Sequence, residues 1–107
     1  MRREEPDVLL VATDPRIREL VDAALGPEGY RVVATDGARD AWRLLHHVRS
    51  LPRLILLGVA MTDLDGWDLV ERVLGDPALD GIPIITLGEH LPNSEPELRT
   101  MVAVYCR

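Results

Sequence analysis

The stretch Arg53-Leu-Ile-Leu-Leu-Gly58 constrains the fold of this chain more than any other. It is an unbroken apolar run bounded by Pro52 and a turn-rich segment, with no alternation of polar and apolar positions. That pattern predicts a strand buried on both faces, which is the pattern of a central strand in a parallel sheet. A parallel sheet needs helical crossovers, so the rest of the chain has to supply helices for both faces. The carboxyl ends of such strands open into the crevice that α/β sheets use for ligands and chemistry. Here that position is held by Gly58, which has no side chain.

Taken in order, Asp7–Ala12 reads as a short buried strand. Asp14-Pro15 then supplies an N-cap and a proline at the first helical position. Ile17, Leu20, Val21, Ala24 and Leu25 share one face of the helix that follows, while Arg16, Arg18, Glu19 and Asp22 take the other, until Gly26-Pro27 stops it. Tyr30–Thr35 is β-branched and reads as a second strand. After Asp36-Gly37, a second helix from Ala38 to about Val48 packs through Ala41, Trp42, Leu45 and Val48. Beyond the central strand, Gly66 opens a third helix with Trp67, Val70, Val73 and Leu74 as its apolar face. Ile82–Gly88 is a fourth strand, with Pro83 near its start, where a missing donor is tolerated. Ser94-Glu95-Pro96-Glu97 has capping-box spacing for a short fourth helix with Leu98 and Met101 inward. Val102–Cys106 is expected to be a fifth strand. The alternation implies a doubly wound, five-stranded parallel sheet, most commonly in the order 2-1-3-4-5.

At 107 residues and 47% apolar content, the chain supports one domain, residues 1–107, with one core. A net charge of −6 without a basic cluster argues against nucleic-acid binding. No apolar run approaches the roughly 20 residues needed to cross a bilayer, and the polar start Met1-Arg-Arg-Glu-Glu-Pro6 is not that of a signal peptide. A cytoplasmic protein is expected. The single cysteine, Cys106, has no partner for an internal disulfide and is expected to be inert.

The first strand running into Asp14-Pro15, Glu28-Gly29-Tyr30, Asp36-Gly37, Asp65-Gly66 and Asp76-Pro77-Ala78-Leu79 before Ile82-Pro83 are together, in order and spacing, similar to the receiver domains of bacterial response regulators. The resemblance implies a flavodoxin-like fold whose site holds a carboxylate nucleophile, two acids for Mg²⁺, a hydroxyl and a lysine. Gly58 stands at the nucleophile position, Ala12 and Thr13 at the acidic pair, and Gly88 at the hydroxyl, with Thr86 two residues upstream. In one register Arg107 takes the lysine position. In another Tyr105 matches the family's aromatic switch residue and the lysine falls beyond the last residue. The chain contains no lysine at all. The substitutions remove about three carboxylates from the crevice, leaving a hard cation little to bind, so neither metal nor cofactor is expected.

The remaining acids and rings have plainer readings. Asp14 lies one residue too late for the acidic pair and reads as an N-cap. Asp63 and Asp65 read as caps of the turn into Gly66 rather than as displaced acceptors. His46 and His47 are adjacent on a helix and diverge by about a hundred degrees, which argues against a shared metal. Trp42 and Trp67 read as packing anchors. The resemblance therefore implies a pseudo-receiver: not an enzyme, but a signalling module that binds a protein partner or a second copy of itself. An alternative class is a small-molecule sensor, with an apolar ligand in the crevice near Gly58 and Gly88. Receiver domains end with a further helix beside the first, and the sequence stops where that crossover would begin. A half-covered sheet face is therefore expected, with Val102, Val104 and Tyr105 as candidate interface residues unless a longer chain supplies the helix.

Overall fold

A computed structural model describes residues 7–47, 50–58, 64–79, 81–87 and 95–106, with only the backbone for residues 64–67. Four strands, β1 (Val8–Val11), β2 (Val32–Thr35), β3 (Leu54–Gly58) and β4 (Ile84–Leu87), alternate with four helices. These are α1 (Pro15–Leu25), α2 (Ala38–Leu45), α3 (Leu64–Gly75) and α4 (Glu95–Tyr105). All strand pairs are parallel and the order is β2-β1-β3-β4. Every residue of β1 and β3 is buried, because each has a strand on both sides and helices above and below.

Local chemistry accounts for the boundaries of α1. The Asp14 carboxylate accepts a hydrogen bond from the Arg16 backbone N–H at 2.9 Å, and Pro15 occupies the first turn, where no donor is lost. The helix runs into a single 3₁₀ turn over Gly26–Glu28 and reverses at Gly29, whose φ of 87° favours glycine.

The alternating side chains of each strand feed two cores. Val8, Leu10, Leu54 and Leu56 point to the face covered by α1 and α4, where they meet Val21, Ala24, Leu25, Leu98, Val102 and Cys106. Leu9, Val11, Ile55 and Leu57 point to the other face, against Ala41 and Leu45 of α2 and Leu69 and Val73 of α3.

The end of the chain differs from the sequence expectation. Val102–Tyr105 is helical, so the described sheet has four strands rather than five. Leu98, Val102 and Cys106 recur every four residues and are all buried, with Met101 packed beside them. This stripe lies against α1, and packing of an apolar face outweighs the weak β preference of Val102 and Val104. The face that the sequence left half covered is therefore covered from within the chain. Val102 belongs to the core and not to an interface, whereas Val104 (57% exposed) and Tyr105 (45% exposed) lie on the outer side of α4.

Two smaller differences concern α3. Its backbone begins at Leu64, two residues before Gly66. Leu74 is 65% exposed rather than inward, because Leu69 and Val73 define the buried stripe and Leu74 lies about 140° round the helix from Leu69. α2 ends at Leu45, short of the expected Val48, with His46 as its C-cap and the His46 and His47 rings meeting the Trp42 and Arg43 carbonyls of its last turn. The expected start of α4 at Ser94 lies outside the described residues.

Candidate functional site

The register of the two central strands builds the floor of the crevice. Val11 is the partner of Leu57, so the next residues, Ala12 and Gly58, stand side by side at the carboxyl edge of the sheet. They are close. A Cβ placed on Gly58 would lie 2.9 Å from the Ala12 Cβ, 3.3 Å from the Ala12 Cα and 3.3 Å from the Val11 carbonyl oxygen. The first distance is below ordinary carbon–carbon contact, and a methyl group on a buried strand cannot swing aside, so a side chain at position 58 requires the backbone to shift. The space that a side chain at position 58 would need is already taken by Ala12.

The residues beside Gly58 offer little to a divalent cation. Ala12 is buried and offers only its carbonyl oxygen, and Thr13 is exposed. That carbonyl accepts hydrogen bonds from the Arg18 guanidinium through Nε at 3.1 Å and Nη2 at 3.0 Å. Nη2 also pairs with the Asp36 carboxylate in the turn after β2. A guanidinium thus sits at the strand end, tying β1, α1 and the β2–α2 turn together. These residues do not fit a magnesium ion, which needs several oxygen ligands, carboxylates foremost. Among the described residues, no three His, Cys, Asp or Glu side chains come together as a metal site.

Asp14 is engaged by Arg16 through its carboxylate. Its carboxyl is held below the usual carboxylate range, first by the side-chain hydrogen bonds of Arg16 and then by the Arg16 backbone N–H. It serves as the N-cap that its position implied. The role of Arg18 and Asp36 was missed in the sequence, where Arg18 read as the polar face of α1 and Asp36 as part of a turn. The available signal was spacing, since a long side chain one turn after the cap can reach back to the strand end.

Other candidate residues are dispersed or lie outside the described set. Gly88, Arg107 and Asp63 are not among the described residues, and Asp65 is placed only by its backbone, in the first turn of α3. Thr86 pairs in register with Leu57 and is exposed, while Leu87 is the β4 partner of Gly58. The two histidines go to separate partners. His46 Nδ1 lies 2.8 Å from the Trp42 carbonyl and its Nε2 3.5 Å from the Asp76 carboxylate, whereas His47 Nδ1 lies 2.7 Å from the Arg43 carbonyl. Trp42 is only half-buried. Its ring is 4.3 Å from that of His46, with the Arg72 guanidinium 5.7 Å from its centre, beside a groove of about 310 Å³ between α2 and α3. The Trp67 side chain is outside the described set. Cys106 is buried under α4, and burial pushes its thiol pKa up, away from the reactive thiolate.

Comparison with known proteins agrees with this architecture. An uncharacterized 14.6 kDa protein of Leptolyngbya boryana is 38% identical over 81 residues, covering 76% of this chain and 60% of that protein. A two-component response regulator-like protein of Arabidopsis thaliana is 34% identical over 83 residues, covering 78% of this chain and 17% of that protein. The chain thus spans less than two thirds of the length of either relative. Among solved structures, the signal receiver domain of a signal transduction histidine kinase from Syntrophus aciditrophicus is 27% identical. It superposes with a TM-score of 0.68 over 95% of this chain and 73% of that one. The receiver domain of a Pseudomonas aeruginosa sensor histidine kinase, solved with a magnesium ion in its active site cleft, reaches a TM-score of 0.79 at 21% identity, covering 95% and 98% of the two chains. That likeness is one of fold. Residues 8–101, from the first residue of β1 into α4, match the response regulator receiver domain, and the chain belongs to that family.

Proposed function

We propose that this receiver domain takes up no phosphoryl group and works as a protein-interaction module rather than as an enzyme. The observation that carries the reading is the contact at the end of the central strand, where Gly58 has no nucleophile and Ala12 leaves no room for one. Phosphoryl transfer to a receiver needs a carboxylate oxygen to attack phosphorus while the donor's leaving group departs, and it needs a cation to offset the charge on the phosphoryl oxygens. Position 58 supplies no attacking atom. Ala12 and Thr13 supply no carboxylate for a cation, and the Arg18 guanidinium already holds the strand-end carbonyl. What the domain keeps is a rigid scaffold with shaped surfaces, the part of a receiver that communicates with other proteins. The small-molecule reading has no comparable support at Gly58, because the space left by the missing side chain is taken by Ala12.

The test is direct. The protein is incubated with acetyl phosphate or phosphoramidate and Mg²⁺, and its intact mass is measured before and after treatment with hydroxylamine. An unchanged mass is the expected result. A hydroxylamine-labile phosphoryl adduct would show an acyl phosphate on some other carboxylate and overturn the reading.

A further inference from the structure

The described sheet ends at β4, and the backbone there is not finished. In a parallel ladder the N–H and C=O of alternate residues face the same neighbour. The Ile55 N–H donates to the Pro83 carbonyl at 3.0 Å, and Ile55 is the register partner of Ile84. Pro83, Ile85 and Leu87 therefore face β3. Ile84 and Thr86 face away from it, each presenting an N–H and a C=O toward a side where no described strand lies. The side chains are unfinished too. Ile84 leans on the α2–α3 core and Ile85 on the α1–α4 core, yet both remain only half-buried. Proteins commonly protect such an edge with charge, and here Ile82–Leu87 carries none, in a chain of net charge −6. Among the described residues its protection is limited to the four-residue length of the strand and to Pro83.

We propose that this edge is a dimer interface, occupied by β4 of a second copy running antiparallel. The edge is complementary to itself. A two-fold axis normal to the sheet, midway between the two strands and level with Ile85, sets Ile84 opposite Thr86 of the second copy and Thr86 opposite its Ile84. Residues opposed in this way exchange both backbone hydrogen bonds, so every outward N–H and C=O of Ile84 and Thr86 finds a partner. Between them the two Ile85 side chains meet as the close, non-hydrogen-bonded pair on the α1–α4 side. The two sheets become one, and within β4 the pairing sets no charged side chain against its own copy. This proposal names the partner in the interaction-module reading and rests on it. It does not depend on Gly58, so phosphoryl labelling and self-association are separate observations.

Sedimentation equilibrium from low micromolar to sub-millimolar concentration tests it. The average mass is expected to rise with concentration from that of the 11.9 kDa monomer toward twice that value. Thr86→Pro removes an N–H that points off the sheet and leaves the ladder to β3 intact, so it should keep the far-UV spectrum and weaken association by at least about tenfold. Thr86→Lys keeps the backbone, places a charge against its own copy, and should weaken association likewise. A wild-type protein that stays monomeric throughout, or two folded variants that associate as strongly as wild type, would overturn the proposal.

Discussion

β3 and β4 are neighbouring strands of similar apolar composition, but they do different work. β3 has a strand on each side and all five of its residues buried, whereas β4 has one described neighbour and only Leu87 buried. Apolar composition makes both of them strands, and position in the sheet decides what each contributes. The inner strand carries stability and its end is packed shut at Gly58; the outer strand contributes less to the core and has no described strand on its outer side.

The sharpest way to break this contrast is truncation of the same residue type on the two strands. Ile55→Ala should cost about 2–5 kcal/mol, a large share of a total stability of about 5–15 kcal/mol, because the cavity has no route to collapse. Ile84→Ala should cost clearly less, since its site is half-open. Denaturant unfolding measures both, and equal losses would show that the edge is as well packed as the centre.

α4 offers a second contrast at somewhat smaller cost. Val102 and Val104 are two residues apart, one in the core and one 57% exposed. Val102→Ala is expected to lose about 1.5–3 kcal/mol, whereas Val104→Ala should stay within about 0.5 kcal/mol of wild type. If the two losses were alike, the segment would not be a helix with one buried face.

How much of this was legible in the sequence follows from the same residues. The central strand, the N-cap at Asp14 and the succession of elements through β4 could be read because each rests on local signals: an unbroken apolar run, a carboxylate before a proline, glycine at a turn. The residues at the proposed site, Ala12, Thr13 and Gly58, could be read as letters without a carboxylate, and the reading proposed for them rests on that together with the contact between Ala12 and position 58. The fate of Val102–Cys106 could not. Its β-branched composition suits a strand, and only contact with α1 shows that Leu98, Val102 and Cys106 form a helical stripe. Nor could the contact between Ala12 and Gly58 be read, because it depends on how closely β1 and β3 approach. The Arg18–Asp36 pair was hidden for the same reason, as it joins residues 18 positions apart.

A subtler contrast lies at the crevice itself. Gly58→Ala should cost about 1–3 kcal/mol through overpacking against the Ala12 Cβ, and Ala12→Gly in the same chain should recover most of that loss. A double-mutant cycle separates this coupling from the separate effects of each change, and simple additivity would mean that the two residues do not press on each other.

The most direct test of the central claim, that this receiver has lost its acceptor together with the room and the metal ligands that an acceptor needs, is phosphoryl labelling of Gly58→Asp. The variant is incubated with phosphoramidate and Mg²⁺ and followed by intact mass. The account predicts a folded but less stable protein that remains unlabelled, because Ala12 crowds the new carboxylate and neither Ala12 nor Thr13 supplies an acid for the cation. Efficient labelling on the introduced carboxylate would contradict it, showing that the crevice retained everything except the nucleophile.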